Sequence, residues 1–139
     1  MIELKGYKIN SINFENKVPN GTELKLQNQV KYNVNYIDAE NRCVGILDFR
    51  ITDSAMNPFE IRIEMVAEFT YTADEEKPDI HTGSFDQMFP FLRQTVNTLT
   101  SVSGMPGLLI PIMKLDKSSV AVNNNANNNN DEGESSPLN

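Results

Sequence analysis

The sequence predicts an α+β fold: a four-stranded antiparallel sheet with one long helix packed on it, followed by a disordered C-terminal tail. Apolar and polar residues alternate in residues 24–36 and 59–71, as expected for strands with one buried face. After residue 71 the apolar spacing changes to three or four residues, which is typical of a helix. From residue 123 to residue 130, seven of eight positions are Asn, a composition that does not support a packed core.

The two alternating segments are the clearest strands. Apart from Asn28, the predicted buried face of the first consists of Leu24, Leu26, Val30, Tyr32, Val34 and Tyr36. The predicted buried face of the second consists of Phe59, Ile61, Ile63, Met65, Ala67, Phe69 and Tyr71. The intervening positions of both segments are polar except for Val66, so each strand is expected to bury one face and expose the other.

Two further strands show breaks in their alternation. Residues 43–53 alternate from Leu47 onwards, but Val44 and Ile46 lie out of phase, so a β-bulge is expected at Gly45. Residues 2–14 form a weaker strand whose apolar phase shifts near Gly6, where a second bulge is expected.

The segments between the strands carry turn residues. Residues 38–41 and 54–58 are short enough to close antiparallel hairpins. Residues 16–22 form a longer crossing loop that includes Pro19. Asn20-Gly21-Thr22 matches the glycosylation sequon, but without a secretory signal we interpret it as a turn.

The predicted helix begins near Ser84 or Asp86, either of which can cap it, and ends at Gly104 and Pro106. Its apolar positions are Phe85, Met88, Phe89, Leu92, Val96, Leu99 and Val102. Pro90 lies inside this pattern, so the helix either kinks there or begins its regular part there. Residues 108–113 form an apolar run without helical spacing.

The length of 139 residues fits one domain, which we assign to residues 1–116. Residues 117–139, which contain the Asn run and an acidic stretch, hold too little apolar surface to offset the entropy lost on ordering. We therefore predict a disordered tail there. Such a tail serves either to recruit a partner or to keep the protein soluble, and the sequence leaves both open.

The charge of the chain excludes several partners. Acidic residues outnumber basic ones by 19 to 12, and the net charge is −7. Nucleic acids and anionic membrane surfaces attract basic faces, so neither is an expected partner. No signal peptide or membrane-spanning segment is recognisable, and a single cysteine forms no internal disulfide, which together predict a cytoplasmic protein.

The sequence offers little for catalysis. His81 is the only histidine and is predicted to be a solvated loop residue. Cys43 is predicted to be an inert or partly exposed thiol at a hairpin end. No spacing of His, Cys and carboxylate residues suggests a metal site, and no glycine-rich phosphate loop occurs. We therefore predict a non-enzymatic protein without metal or cofactor.

The predicted sheet has a larger apolar face than one helix can cover. Four strands form a sheet ~19 Å wide, and the longest strands extend ~43 Å. A helix of about twenty residues is ~30 Å long and ~10 Å across, which shields about half of that face. The remaining apolar area serves self-association or a groove for apolar chain segments, unless loops fold over it.

Met88-Phe89-Pro90-Phe91-Leu92-Arg93 is similar to Leu-Phe-Pro-Tyr-Ala-Arg, which opens the long helix in the SecB family of export chaperones. Over about residues 2–115, further motifs resemble the same family. Ile12-Asn13-Phe14-Glu15 resembles the end of the family's first strand, and Glu23-Leu24-Lys25-Leu26 resembles the opening of its second. The segment after the helix, with Gly104-Met105-Pro106, also resembles the family.

The resemblance implies a tetramer, a dimer of dimers, that holds unfolded polypeptides in apolar grooves without ATP or any cofactor. The clients would be pre-secretory proteins or, as for SecB-like chaperones of toxin–antitoxin modules, an antitoxin. By matching position, the residues implied to bind clients are Leu24, Leu26, Phe59, Ile61, Ile63, Met65, Phe85 and Phe89.

The sequence departs from the export family at the polar face of the sheet, where acidic residues dock the translocase motor SecA. Glu15 matches one of these residues, whereas Ser11 and Arg62 stand where others are expected. The family's terminal helix is replaced by the Asn-rich tail. Export and toxin–antitoxin service therefore both stay open. An adaptor that uses the apolar face only for self-assembly, and a small-ligand carrier with an apolar cavity, are further hypotheses.

Overall fold

The computed structural model describes residues 1–113, Leu115 and residues 133–137. The strands are β1 (Glu3–Asn16), β2 (Leu26–Ile37), β3 (Arg42–Asp53), β4 (Phe59–Thr70) and β5 (Gly133–Pro137), and the helix is α1 (Lys77–Val102). All strand pairs are antiparallel, and the order across the sheet is β1-β4-β3-β2-β5. The predicted four-stranded antiparallel sheet with one long helix is confirmed.

The alternation of β3 and β4 places every second side chain against α1. Leu47, Phe49 and Ile51 on β3 are fully buried, as are Ile61 and Ile63 on β4. Their neighbours along the chain face the other side of the sheet and are charged or partly exposed. This one-sided burial forms a single core between sheet and helix.

The bulge predicted at Gly45 is absent, and the prediction was wrong. β3 pairs with both of its neighbours in unbroken register through this residue. A Cβ atom at Gly45 would collide with the ring and hydroxyl of Tyr32, so glycine stands there because Tyr32 occupies the space. The bulge predicted near Gly6 is confirmed by a register shift between Leu4 and Gly6.

The loops connect the strands as expected. A short 3-10 turn, Asp38–Glu40, joins β2 to β3, and Asn41 completes it in the left-handed region with φ 51°. At the β3–β4 hairpin, the Asp53 carboxylate accepts hydrogen bonds from the Asn57 amide and side chain at 3.0 and 2.6 Å. β1 and β2 lie apart in the sheet, so residues 17–25 cross between them.

The helix begins at Lys77, two turns before the predicted start. Pro78 lies in its first turn, where the missing N–H costs nothing. The sequence signal failed because residues 77–84 contain one large apolar residue, Ile80, which alone shows no periodicity. The predicted end is confirmed, since Gly104 follows α1 with φ +100°.

The predicted disordered tail falls mostly outside the described residues, which omit 116–132, 138 and 139. Within it, residues 133–137 form β5. This strand pairs with β2 from Gln27↔Pro137 to Lys31↔Gly133. An edge strand tolerates Pro137 because its missing N–H can face away from the ladder.

Candidate functional site

Six of the eight residues implied to bind clients are core residues in this chain. Phe59, Ile61, Ile63, Met65, Phe85 and Phe89 are at most 3% exposed. They lie between the sheet and α1 and offer no surface to a client in this arrangement. The sequence could not reveal this, because alternation identifies a buried face without showing whether the chain's own helix or another molecule buries it.

The two remaining client residues, and Glu15 as the docking candidate, do have accessible surface. Leu26 begins β2 and Leu24 lies two residues before it, and both are half-buried and pack against the core. Glu15 is exposed near the end of β1, opposite Glu60 on β4. None of the three touches the large groove described next.

An open apolar groove of about 400 Å³ lies between β1 and α1, and we call it the β1 groove. Its lining residues are Tyr7, Ile12, Phe91, Gln94, Thr95, Thr98, Leu99 and Val102. The rings of Tyr7 and Phe91 pack with centroids 4.7 Å apart. Tyr7, Ile12 and Val102 are 46%, 45% and 76% exposed, which is unusual for large apolar side chains on adjoining elements.

The β1 groove is where the apolar face of the sheet extends beyond the helix. Tyr7 and Ile12 pair with Ala67 and Ile63, so they lie on the same face as the core. The expected excess of apolar area is therefore present, but on β1 rather than on β4. The sequence did not point to these two residues, because the register shifts of β1 disturb its alternation.

β1 is also an edge strand of the sheet. Its inner edge pairs with β4, and within the described ranges no strand pairs with its outer edge. An edge strand presents unpaired N–H and C=O groups that another chain can bind. The β1 groove and this free edge lie next to each other, so one partner can contact both.

The opposite flank of α1 is covered by residues 105–113, which we call the strap. Arg93 Nε donates to the Ile110 carbonyl at 2.7 Å, and Asn97 Nδ2 donates to the Leu108 carbonyl at 3.2 Å. The Leu108 amide donates to Thr100 Oγ1 at 2.8 Å. Ile110 is 1% exposed, so the strap fills the space between this flank and the core.

The outer face of the sheet carries ion pairs. Arg62 contacts Asp48 at 3.0 Å, and Arg50 contacts Glu60 at 2.7 Å. Both arginines are about half exposed, so each pair adds little to stability. At the Arg62 position the side chain presents a paired positive charge, where the family resemblance implied a free acidic one.

His81 and Cys43 both lie in the core. The prediction of a solvated His81 was wrong: the residue is in α1, is 6% exposed, and packs edge-on against Tyr32 with centroids 5.1 Å apart. Cys43 is 1% exposed, and burial raises the pKa of its thiol to about 12. A thiol with this pKa is not a nucleophile at neutral pH, as the prediction of an inert side chain stated.

The described part of the chain lacks two further features, a cluster of metal ligands and a membrane-spanning helix. Nowhere in it do three or more His, Cys, Asp or Glu side chains lie close enough together to hold a metal ion. Its helix also falls short of the combination of length and hydropathy that crossing a bilayer requires.

The fold is similar to that of a solved SecB-like chaperone. That protein is Rv1957 from Mycobacterium tuberculosis, in complex with a ChAD peptide from the antitoxin HigA1, Rv1956. The match has a TM-score of 0.64 and 16% sequence identity, and it covers 81% of this chain and 87% of that one. No family model and no curated protein matches the sequence. The comparison shows that this chain has a SecB-like fold.

Proposed function

We propose that the chain is a non-catalytic, nucleotide-independent chaperone that binds unfolded polypeptide segments in the cytoplasm. The observation that carries this function is the likeness of 81% of the chain to a chaperone solved with a bound peptide. Leu109 and Ile112, which lie outside the β1 groove, are exposed and support it, because a protein that binds unfolded chains must keep apolar surface accessible.

An antitoxin is the client we propose first. The peptide bound to the similar structure comes from an antitoxin. Docking of SecA is less well supported, since Arg62 is paired with Asp48 and Ser11 carries no charge. Glu15 is exposed and stays the one candidate for such docking.

Self-association is the proposed use of the β1 groove and the free edge of β1. Two copies related by a two-fold axis would continue the sheet across their β1 strands and cover Tyr7, Ile12 and Val102 in both grooves. A dimer of such dimers would give the tetramer that the family resemblance implies.

The test of the proposed function is suppression of aggregation. A chemically denatured model protein is diluted into buffer with an equal number of chains of this protein and without nucleotide, and light scattering is followed. We expect scattering to fall strongly. An antitoxin and a secretory precursor, each denatured, form two further arms that separate the two client classes. Unchanged scattering across several clients would contradict the proposed function.

A non-catalytic adaptor is the second candidate function, because the β1 groove alone accounts for self-assembly. An adaptor would form the same oligomer, but it would leave aggregation of every denatured client unchanged. Measurement of mass and of holding activity on the same sample therefore separates the two candidates.

A further inference from the structure

The hydrogen bonds between the strap and α1 are made by backbone groups of the strap. Arg93 and Asn97 donate to the carbonyls of Ile110 and Leu108, and Thr100 accepts from the Leu108 amide. Hydrogen bonds to backbone groups do not depend on which side chains a segment carries. The hydrogen bonds on this flank of α1 are therefore open to any extended polypeptide segment, whatever its side chains.

Ile110 is the most deeply buried apolar residue of the strap, and Met105, Leu108 and Met113 are half-buried against the core. Ile110 is 1% exposed, whereas its neighbours Leu109 and Ile112 are 72% and 68% exposed. The strap forms neither helix nor strand, and Pro106 and Pro111 favour extended backbone at the residues before them. An extended segment with an aliphatic side chain at the position of Ile110 therefore fits this flank.

A close approach at Gly107 sets the path of the strap. A Cβ atom there would collide with the Ser101 hydroxyl and lie 2.8 Å from Asn97 Nδ2. Both atoms end flexible side chains, so a methyl group at residue 107 would push Ser101 and Asn97 aside and weaken the hydrogen bond from Asn97 to the strap. This contact gives a way to loosen the strap without changing the core.

We propose that Arg93, Asn97 and Thr100 form a binding site for extended aliphatic polypeptide segments, which the strap occupies until a client displaces it. The client residue that replaces Ile110 would be Leu, Ile or Val, and a charge at that position would be rejected because the space is dry. This assignment depends on the proposed chaperone function, since it names the site at which part of a client binds.

The test uses a labelled peptide with the sequence of residues 105–113, extended by lysines for solubility, and fluorescence anisotropy. Ile110→Ser loosens the strap and leaves the three helix residues in place. If the strap covers the site about nine-tenths of the time, its release should tighten peptide binding about tenfold. Ile112→Ser is the matched control, because Ile112 lies on the same strap and is exposed; it should bind the peptide as wild type does.

Two further variants complete the test. Adding Arg93→Met to Ile110→Ser removes the donor to the position-110 carbonyl and should abolish most of the gain in affinity. Gly107→Ala loosens the strap by a second route and keeps the test decisive if Ile110→Ser does not fold. No gain with either loosened strap, or a gain that survives Arg93→Met, would overturn the assignment.

Failure of this assignment and failure of the proposed function give different results. If wild type suppresses aggregation but the variants bind the peptide equally, clients are held elsewhere and the chaperone function stands. If the variants bind the peptide as expected but wild type suppresses no aggregation, the site exists and the chaperone function is wrong.

Discussion

The two flanks of α1 differ in what covers them. On the flank towards β2, the strap returns along the helix and buries Ile110. On the flank towards β1, Tyr7, Ile12 and Val102 are left exposed in an open groove. The same helix thus has one flank covered by its own chain and one that is not. The open flank is suited to binding a second molecule, and the covered flank is suited to replacement of the strap by a client segment.

The direction of the chain after α1 explains this difference. Gly104, with φ +100°, reverses the chain, and Arg93 and Asn97 then hold it on their own side of the helix. Phe91, Thr95 and Thr98 lie on the other side, since successive residues rotate by about 100° around the helix axis. One returning segment covers one flank only.

The largest expected loss of stability comes from a substitution in the core beneath both flanks of α1. Met65 is fully buried, so Met65→Asp places a carboxylate in a dry core and should remove most of a stability of roughly 5–15 kcal/mol. Urea unfolding measured by circular dichroism would check it. A stable Met65→Asp protein that loses only client binding would show that this residue faces a groove, as the family resemblance implied.

The next effect concerns the open flank alone. Ile12→Asp puts a charge in the β1 groove and should split the proposed β1–β1 dimer, so that the mass measured by light scattering falls to at most half of the wild-type value while the chain stays folded. Met56→Asp is the matched control, because Met56 is 89% exposed on the β3–β4 loop, away from the groove lining. An Ile12→Asp protein with the mass of wild type would contradict self-association through this groove.

The smallest expected loss of stability concerns Asp38, which contacts the start of α1. Lys77 and Tyr71 donate to Asp38 at 3.0 Å each, and these hydrogen bonds lower the pKa of its carboxyl. Because the pKa is lowered on folding, these hydrogen bonds stabilise the folded protein fully above the unfolded pKa of about 3.9. This stabilisation is lost as the pH falls through the pKa of Asp38 in the folded protein.

Asp38 is largely exposed, so Asp38→Asn should cost only about 0.5 kcal/mol of stability at pH 7. The cost of the same substitution should shrink as the pH is lowered to 2, because the Asp38 carboxyl gains protons as the pH approaches its lowered pKa. Urea unfolding of both proteins at the two pH values measures this difference directly. An equal cost at both pH values would show that the charge of Asp38 plays no part.

The sequence was sufficient for the sheet and the helix, because alternation and helical spacing are local patterns. It was insufficient wherever a distant residue decides the structure. In the sequence Gly45 suggested a bulge, whereas in the structure glycine is required there because Tyr32 occupies the space of a Cβ atom. The apolar run after α1 was recognisable in the sequence, but its hydrogen bonds with Arg93 and Asn97 are tertiary contacts. The same holds for Phe59 and Met65, whose burial by α1 could not be separated from burial by a client.

The most direct test of the chaperone function compares two forms of one client. A protein and its permanently unfolded variant, both fluorescently labelled, are titrated with this chain in the absence of nucleotide. The account predicts saturable binding of the unfolded form and none of the folded form. Equal binding of both forms, or binding of neither across several clients, would contradict it.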